Sequence, residues 1–68
     1  MEKGWKEIFF TEKEYQATMA RDILEESGIN AVIINRRDSM YRSFGDFVVY
    51  VPEDSEIVAL ELIKELKN

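Results

Sequence analysis

A helical segment with a marked beginning and end lies between two strand-like runs, and this order restricts the possible folds more than any other feature. The tetrapeptide that starts at Thr11 has the form of a capping box, in which Thr11 accepts a hydrogen bond from the backbone N–H of Glu14. Gly28, followed by the apolar Ile29, is typical of the left-handed residue that ends a helix. The spacing therefore predicts a helix after a first strand over residues 5–10.

Hydrophobic periodicity predicts the other elements. Further runs of β-branched and aromatic residues indicate strands over 29–35 and 47–51, and the apolar run in the middle of 29–35 indicates burial on both faces. A second helix is predicted to begin at Asp54 or Ser55, after Pro52 has ended the third strand. The predicted helical stripes consist of Gln16, Ala20, Ile23, Leu24 and Ser27, flanked by Ala17, and of Val58, Ala59, Leu62, Ile63 and Leu66.

These five elements predict a single α+β domain over residues 1–68, in the order β-α-β-β-α. A strand-helix-strand unit makes its two strands parallel, whereas the short loop between the second and third strands favours an antiparallel hairpin. The third strand is thus expected between the other two, in the order 1-3-2, with both helices on one face. This is a truncated ferredoxin-like sheet, without its last strand. Its other face and the outer edge of the first strand would stay uncovered, and an uncovered apolar surface is typical of an interaction site.

The absence of cysteine and histidine excludes several kinds of chemistry. These residues supply most protein ligands of zinc, iron–sulfur clusters, copper and haem, the commonest general base and the most nucleophilic side chain. Glu25 with Glu26, and the run from Glu53 to Glu56, are interpreted as an exposed helix face and an acidic helix N-terminus rather than as a cation site. We therefore expect no metal, no cofactor and no enzymatic activity.

The formal net charge of −5 opposes contact with nucleic acid, whose phosphates are also negative. Trp5, Phe9 and Tyr50 could form an aromatic platform on the uncovered face, of the kind that stacks bases. We favour a role for these three residues in the core or in a subunit interface. No apolar run reaches the ~18 residues of a membrane span, and no signal-peptide pattern begins the sequence. We expect a cytoplasmic protein that contacts neither nucleic acid nor membrane.

One segment is basic within this acidic chain. Residues 36–45 carry three arginines against one aspartate, a local charge of +2 that leaves −7 for the rest. Guanidinium groups bind carboxylate or phosphate through paired hydrogen bonds. The candidate partner-binding residues are Arg36, Arg37, Tyr41 and Arg42, and the alternative is a solvated loop. A protein partner of unknown identity is expected, with a homo-oligomer, a small-anion-binding domain and an enzyme-associated subunit left open.

A strand that begins with Trp5, the segment Gly28-Ile29-Asn30-Ala31 and the spacing of Val49, Val51 and Asp54 together form a recognisable pattern. Over almost the whole chain it resembles a family of short bacterial PII-like signal-transducing proteins, a domain of unknown function. The resemblance implies a regulatory module, because PII regulators contact partner proteins through the loop between their second and third strands, here residues 36–44. PII proteins are longer and bind nucleotide between the subunits of a trimer. This chain has no Gly-rich phosphate cradle, so no nucleotide-binding residue is carried over.

Overall fold

The computed structural model describes residues 4–36 and 46–66. The predicted α+β order is confirmed. Two short 3-10 turns, Glu53–Ser55 and Lys64–Leu66, flank the second helix. The elements in chain order are β1 (Trp5–Thr11), α1 (Glu14–Glu26), β2 (Val32–Arg36), β3 (Asp46–Pro52) and α2 (Glu56–Leu62).

The described strands form one sheet in the order β1-β3-β2, as predicted. The central strand β3 pairs antiparallel with both neighbours. The outer strands β1 and β2 are consequently parallel to each other, and α1 makes the crossover that parallel strands need. A backbone hydrogen bond from the N–H of Glu53 to the carbonyl of Gly4, at 2.6 Å, joins the end of β3 to the start of β1.

Both helices cover the same face of the sheet. Val49 and Val51 of β3 are fully buried there and belong to a single core cluster with residues of both helices. Three of the helical contacts are alanines, whose small side chains let the helix backbones approach the sheet closely. The largest buried side chains, Leu24 and Ile63, each contribute roughly 1.5–3 kcal/mol. The helical members of the cluster are Ala17, Ala20, Leu24, Ala59 and Ile63.

The start of α1 differs from the predicted capping box. Thr11 is still the last residue of β1 and is buried, while Lys13 is the N-cap without a side-chain cap. The backbone N–H of Lys13 donates to Thr11 Oγ1 at 3.1 Å, and the Thr11 hydroxyl donates to Gln16 Oε1 at 2.7 Å. Because Thr11 stays in the strand, its hydroxyl stabilises the turn into the helix rather than the first helical turn itself.

The end of α1 follows the prediction. Gly28 has φ +85°, in the left-handed region, and Ser27 is the C-cap. The N–H of Gly28 donates to the carbonyl of Glu25 and that of Ile29 donates to the carbonyl of Leu24, both at 3.0 Å. This pair of bonds is the Schellman motif, and the apolar residue that accompanies it, Ile29, is buried in the core.

Strand β2 is shorter and less buried than predicted. It begins at Val32, and its three apolar residues are only half-buried. The prediction of burial on both faces was wrong because β2 lies at the edge of the sheet, where one side of each residue has no neighbouring strand. The buried residues of the predicted strand are Ile29 and Ala31, which precede it and enter the core from the connection that follows α1.

The predicted helical stripes are confirmed in part. Ala59 and Ile63 lie at the centre of the buried side of α2, with Leu62 and Leu66 half-buried beside them. Val58 is 54% exposed, since it is rotated by about 100° from Ala59 and so leaves the face that contacts the sheet. In α1 the predicted Ser27 is also exposed, because it caps the helix instead of continuing it.

Replacement of Gly28 by alanine is expected to lower the free energy of unfolding by about 1–2 kcal/mol. An alanine Cβ would meet no atom within 4 Å, so the cost comes from the left-handed backbone alone. Gly28→Asn is the matched control and should cost less, because asparagine tolerates this conformation. Urea unfolding followed by circular dichroism measures both, and equal losses for the two variants would contradict this explanation.

Candidate functional site

A β-bulge in β1 decides which side chains reach each face of the sheet. Glu7 pairs with Tyr50 and Phe9 pairs with Val49, so that β1 advances two residues where β3 advances one. Ile8 is the extra residue and is buried in the core. Both Ile8 and Phe9 consequently contact the core on the helical side, and the alternation of the strand is reversed beyond them.

The face opposite the helices, here called the open face, is built from all three strands. None of the described helices contributes to it, since the buried residues of α1 and α2 cluster with Val49 and Val51 on the other side. The cross-strand pairing, together with the alternation of side chains along each strand, places the residues of the open face in rows across the sheet. One row joins Phe10, Val48 and Ile34 across the sheet. The open face consists of Trp5, Glu7 and Phe10 of β1, Val48 and Tyr50 of β3, and Val32 and Ile34 of β2.

Phe10 is the most exposed apolar side chain of this face. Val48 is fully buried between its cross-strand neighbours Phe10 and Ile34, whereas Phe10 itself is 51% exposed. Trp5 and Tyr50 are half-buried. An aromatic side chain that projects from an apolar row on a rigid strand has the properties of an interface anchor. The open face can therefore offer a protein partner one large apolar contact within a flat sheet.

The structure separates the three predicted interface residues. Trp5 pairs with Pro52, two residues from Tyr50 along β3, so Trp5 and Tyr50 share the open face. Phe9 lies on the other face and packs against the helical core. Its placement on the uncovered face is corrected by the bulge, which turns Phe9 inward and Phe10 outward. An interface role of Trp5 and Tyr50 stays a prediction.

The predicted basic site falls mostly outside the described residues. Arg36 is the last residue of β2, and its backbone pairs with that of Asp46 at the start of β3. Arg37, Tyr41 and Arg42 lie between these two strands in the chain, in the part that the structure does not describe. Their proposed contact with a partner remains a prediction from sequence.

Formal charge divides between the two layers of the fold. α1 contains four carboxylates and one guanidinium, and residues 53–66 contain five carboxylates and one ammonium group. The helical layer thus has net charges of −3 and −4 from these two segments. The three strands contain two acidic and two basic residues, which cancel. Because Lys6 pairs with Val51 on the helical side, Glu7 leaves the open face with a small negative charge, well below that of the helical layer on the opposite side of the molecule.

The acidic residues of the helices are dispersed and exposed. Asp22, Glu25 and Glu26 line a depression on the outer surface of α1. Within residues 4–36 and 46–66, no group of three acidic residues is arranged so that it could hold a metal ion. The ion pairs Arg21–Asp22, at 3.5 Å, and Glu61–Lys64, at 3.9 Å, are solvent-exposed and contribute little to stability.

The sequence analysis did not single out Phe10 as a site residue. Period-two alternation from Trp5 would have placed Phe9, not Phe10, on the face of Trp5, and the chain contains no glycine in β1 to mark a bulge. The available signal was compositional. Three consecutive apolar residues from Ile8 cannot alternate strictly between a core and a solvated face, so one of them had to become exposed or the strand had to shift its register.

The geometry defines a class of protein: a small two-layer α+β module with one acidic helical side and one largely apolar sheet face. A family described as "Putative prokaryotic signal transducing protein" matches residues 5–67, and the chain belongs to this family. No curated protein and no solved structure matches the chain. Among the described helices, none combines the length and apolar character that crossing a membrane requires.

Alanine substitutions at the two adjacent phenylalanines should have unequal effects on stability. Phe9→Ala removes a ring packed against the helical core and is expected to cost about 2–3 kcal/mol. Phe10→Ala removes a ring that is half exposed and should cost about 1 kcal/mol or less. Urea unfolding of both variants measures the difference. A larger loss for Phe10→Ala would contradict the placement of the bulge.

Proposed function

We propose that this chain is a small cytoplasmic regulatory module that acts through protein–protein contacts at its open face. The observation that carries the proposal is the row of Phe10, Val48 and Ile34, whose aromatic member projects from a neutral sheet. Signal transduction, the role in the family description, requires a surface that a partner can recognise. A rigid strand holds such a contact more precisely than a loop does.

Charge supports a protein partner over a nucleic acid. The helical layer has net charges of −3 and −4 in its two segments, and the strands add none. Binding to a phosphate backbone depends on cationic side chains that displace counterions. The largely apolar open face suits burial against another protein, where charged residues are depleted from the centre of the contact.

A non-enzymatic role is part of the proposal. The carboxylates of Asp22, Glu25 and Glu26 are exposed on the outside of α1, where water surrounds them. An acid or base that acts at neutral pH usually lies in a desolvated cleft near a charged partner. These carboxylates lack that environment, and their dispersal fits a solvated helix surface.

The basic segment provides a second contact in this proposal. Arg36 ends β2, and Arg37, Tyr41 and Arg42 follow it in the sequence before β3 begins. Their position between the second and third strands is that of the partner-binding loop of PII regulators. The resemblance therefore predicts a PII-like mode of action, in which the arginines bind an acidic group of the partner.

A photo-crosslinking residue at position 10 tests the proposed contact. We expect benzoylphenylalanine in place of Phe10, expressed in bacterial cells, to give covalent adducts with protein after irradiation. The matched control carries the same residue in place of Ile57, which is 77% exposed on α2, away from the open face. Denaturing gels and mass spectrometry of the adducts compare the two positions.

Adducts at position 10 that are absent at position 57 would support the open face as the functional contact. Equal patterns at the two positions would indicate non-specific collisions at exposed apolar side chains. No adduct at position 10, with folding verified by circular dichroism, would contradict the proposed function.

A further inference from the structure

We infer that the partner at the open face is a second copy of this chain, packed sheet against sheet. The inference rests on the proposed function and specifies its partner. In the resulting dimer two sheets lie at the centre and two helical layers lie outside, an arrangement that buries Phe10 of each copy. Charge, shape and the apolar row each favour this partner.

The division of charge favours the open face over the helical layer for contact with a second copy. Two helical layers placed together would oppose net charges of −3 and −4 from each chain. Two open faces placed together oppose only the carboxylate of Glu7 from each chain, because Arg36 and Asp46 at the end of the sheet cancel in formal charge. Sheets pack about 10 Å apart, and the helices lie beyond them, so the acidic layers are separated by more than the screening length of about 8 Å at physiological salt.

The dimensions of the chain also suit a partner of equal size. The fold is a slab with extents of 36 × 28 × 16 Å, and its shortest extent is that of one helical layer on one sheet. Three strands about 4.8 Å apart and about 3.3 Å long per residue give a flat footprint of roughly 14 by 23 Å. An identical sheet covers most of this area, since β2 has five residues where β1 and β3 each have seven. This footprint is smaller than the roughly 800 Å² per partner of a standard interface, so it predicts a weak dimer.

The central row is self-complementary. A two-fold axis that runs along β3 near Val48 exchanges the β1 side of one copy with the β2 side of the other. Phe10 of each copy then lies over Ile34 of the other, because both residues pair with Val48 in the same row. Two aromatic anchors are buried by one symmetric contact, whereas an unrelated partner would have to supply a separate apolar surface.

Tryptophan emission of the purified, unmodified protein reports on this contact directly. Trp5 is the only tryptophan of the chain, and it lies half-buried on the open face. Its indole should lose water when two open faces meet, so the emission maximum should move to shorter wavelength as the concentration rises through the Kd. Sedimentation equilibrium over about 1 μM to 1 mM should give the mass of a dimer across the same range.

Two single substitutions assign the dimer to a face. Phe10→Asp should weaken dimerisation at least tenfold, because it places a charge in the centre of the contact. Ile57→Asp is the matched control on α2 and should leave the Kd within twofold. Thermal unfolding shows whether each variant is folded. Should Phe10→Asp fail to fold, the emission and sedimentation of the unmodified protein still decide the matter.

A monomer at 1 mM would overturn the inference, as would a dimer that forms without any shift of Trp5 emission or one that Ile57→Asp disrupts instead. These results are distinguishable from failure of the proposed function. A monomer whose position 10 forms adducts with a different protein would reject the second copy and keep the open face as a contact. A monomer without adducts at position 10 would reject both.

Discussion

The unpaired residue at the middle of β1 determines the identity of both faces of the sheet. Without the bulge, the pairing of Glu7 with Tyr50 would continue in step, and Phe9 would remain on the side of Trp5. With Ile8 inserted, Ile8 and Phe9 both face the helices and Phe10 faces outward. One extra residue therefore adds an apolar side chain to the core and exposes an aromatic ring at the surface that we propose binds a partner.

The bulge also explains which parts of this structure could be predicted. Strand order and helix positions follow from signals within a few residues, such as Gly28, whose left-handed backbone ends α1. The register of β1 depends instead on the packing of Ile8 and Phe9 against the helical core, and the apolar run from Ile8 signals a conflict without fixing where the bulge falls. Thr11 illustrates the same limit, since its sequence position suits a cap but its burial at the end of β1 removes it from that role. The candidate partner-binding residues Arg36, Arg37, Tyr41 and Arg42 could be proposed only from the composition of the segment.

Because the chain is small, the difference in packing between the two faces of the sheet matters for the stability of the fold. A chain of 68 residues buries only about 60% of the surface exposed when unfolded, so its stability is modest. The helical side uses small residues such as Ala17, Ala20 and Ala59 to bring both helices onto the sheet. No described element does the same for the open face. A partner that covers it would add to the stability of the fold as well as bind to it, since any ligand specific for the folded state shifts unfolding by mass action.

The position of the open face relative to the basic segment bears on how such a module could signal. The apolar row ends at Ile34 on β2, and Arg36 follows two residues later, about 7 Å further along the strand. On β3, Asp46 precedes Val48 by the same interval. Both strands thus connect the apolar row to the basic segment along the chain. Binding at the open face can change the affinity of the arginines for their own target only under one condition. The partner must bind one arrangement of that segment more tightly than another. In the function we propose, the sheet supplies a fixed contact, and the arginines between β2 and β3 in the sequence supply a second one on which selection between partners can act.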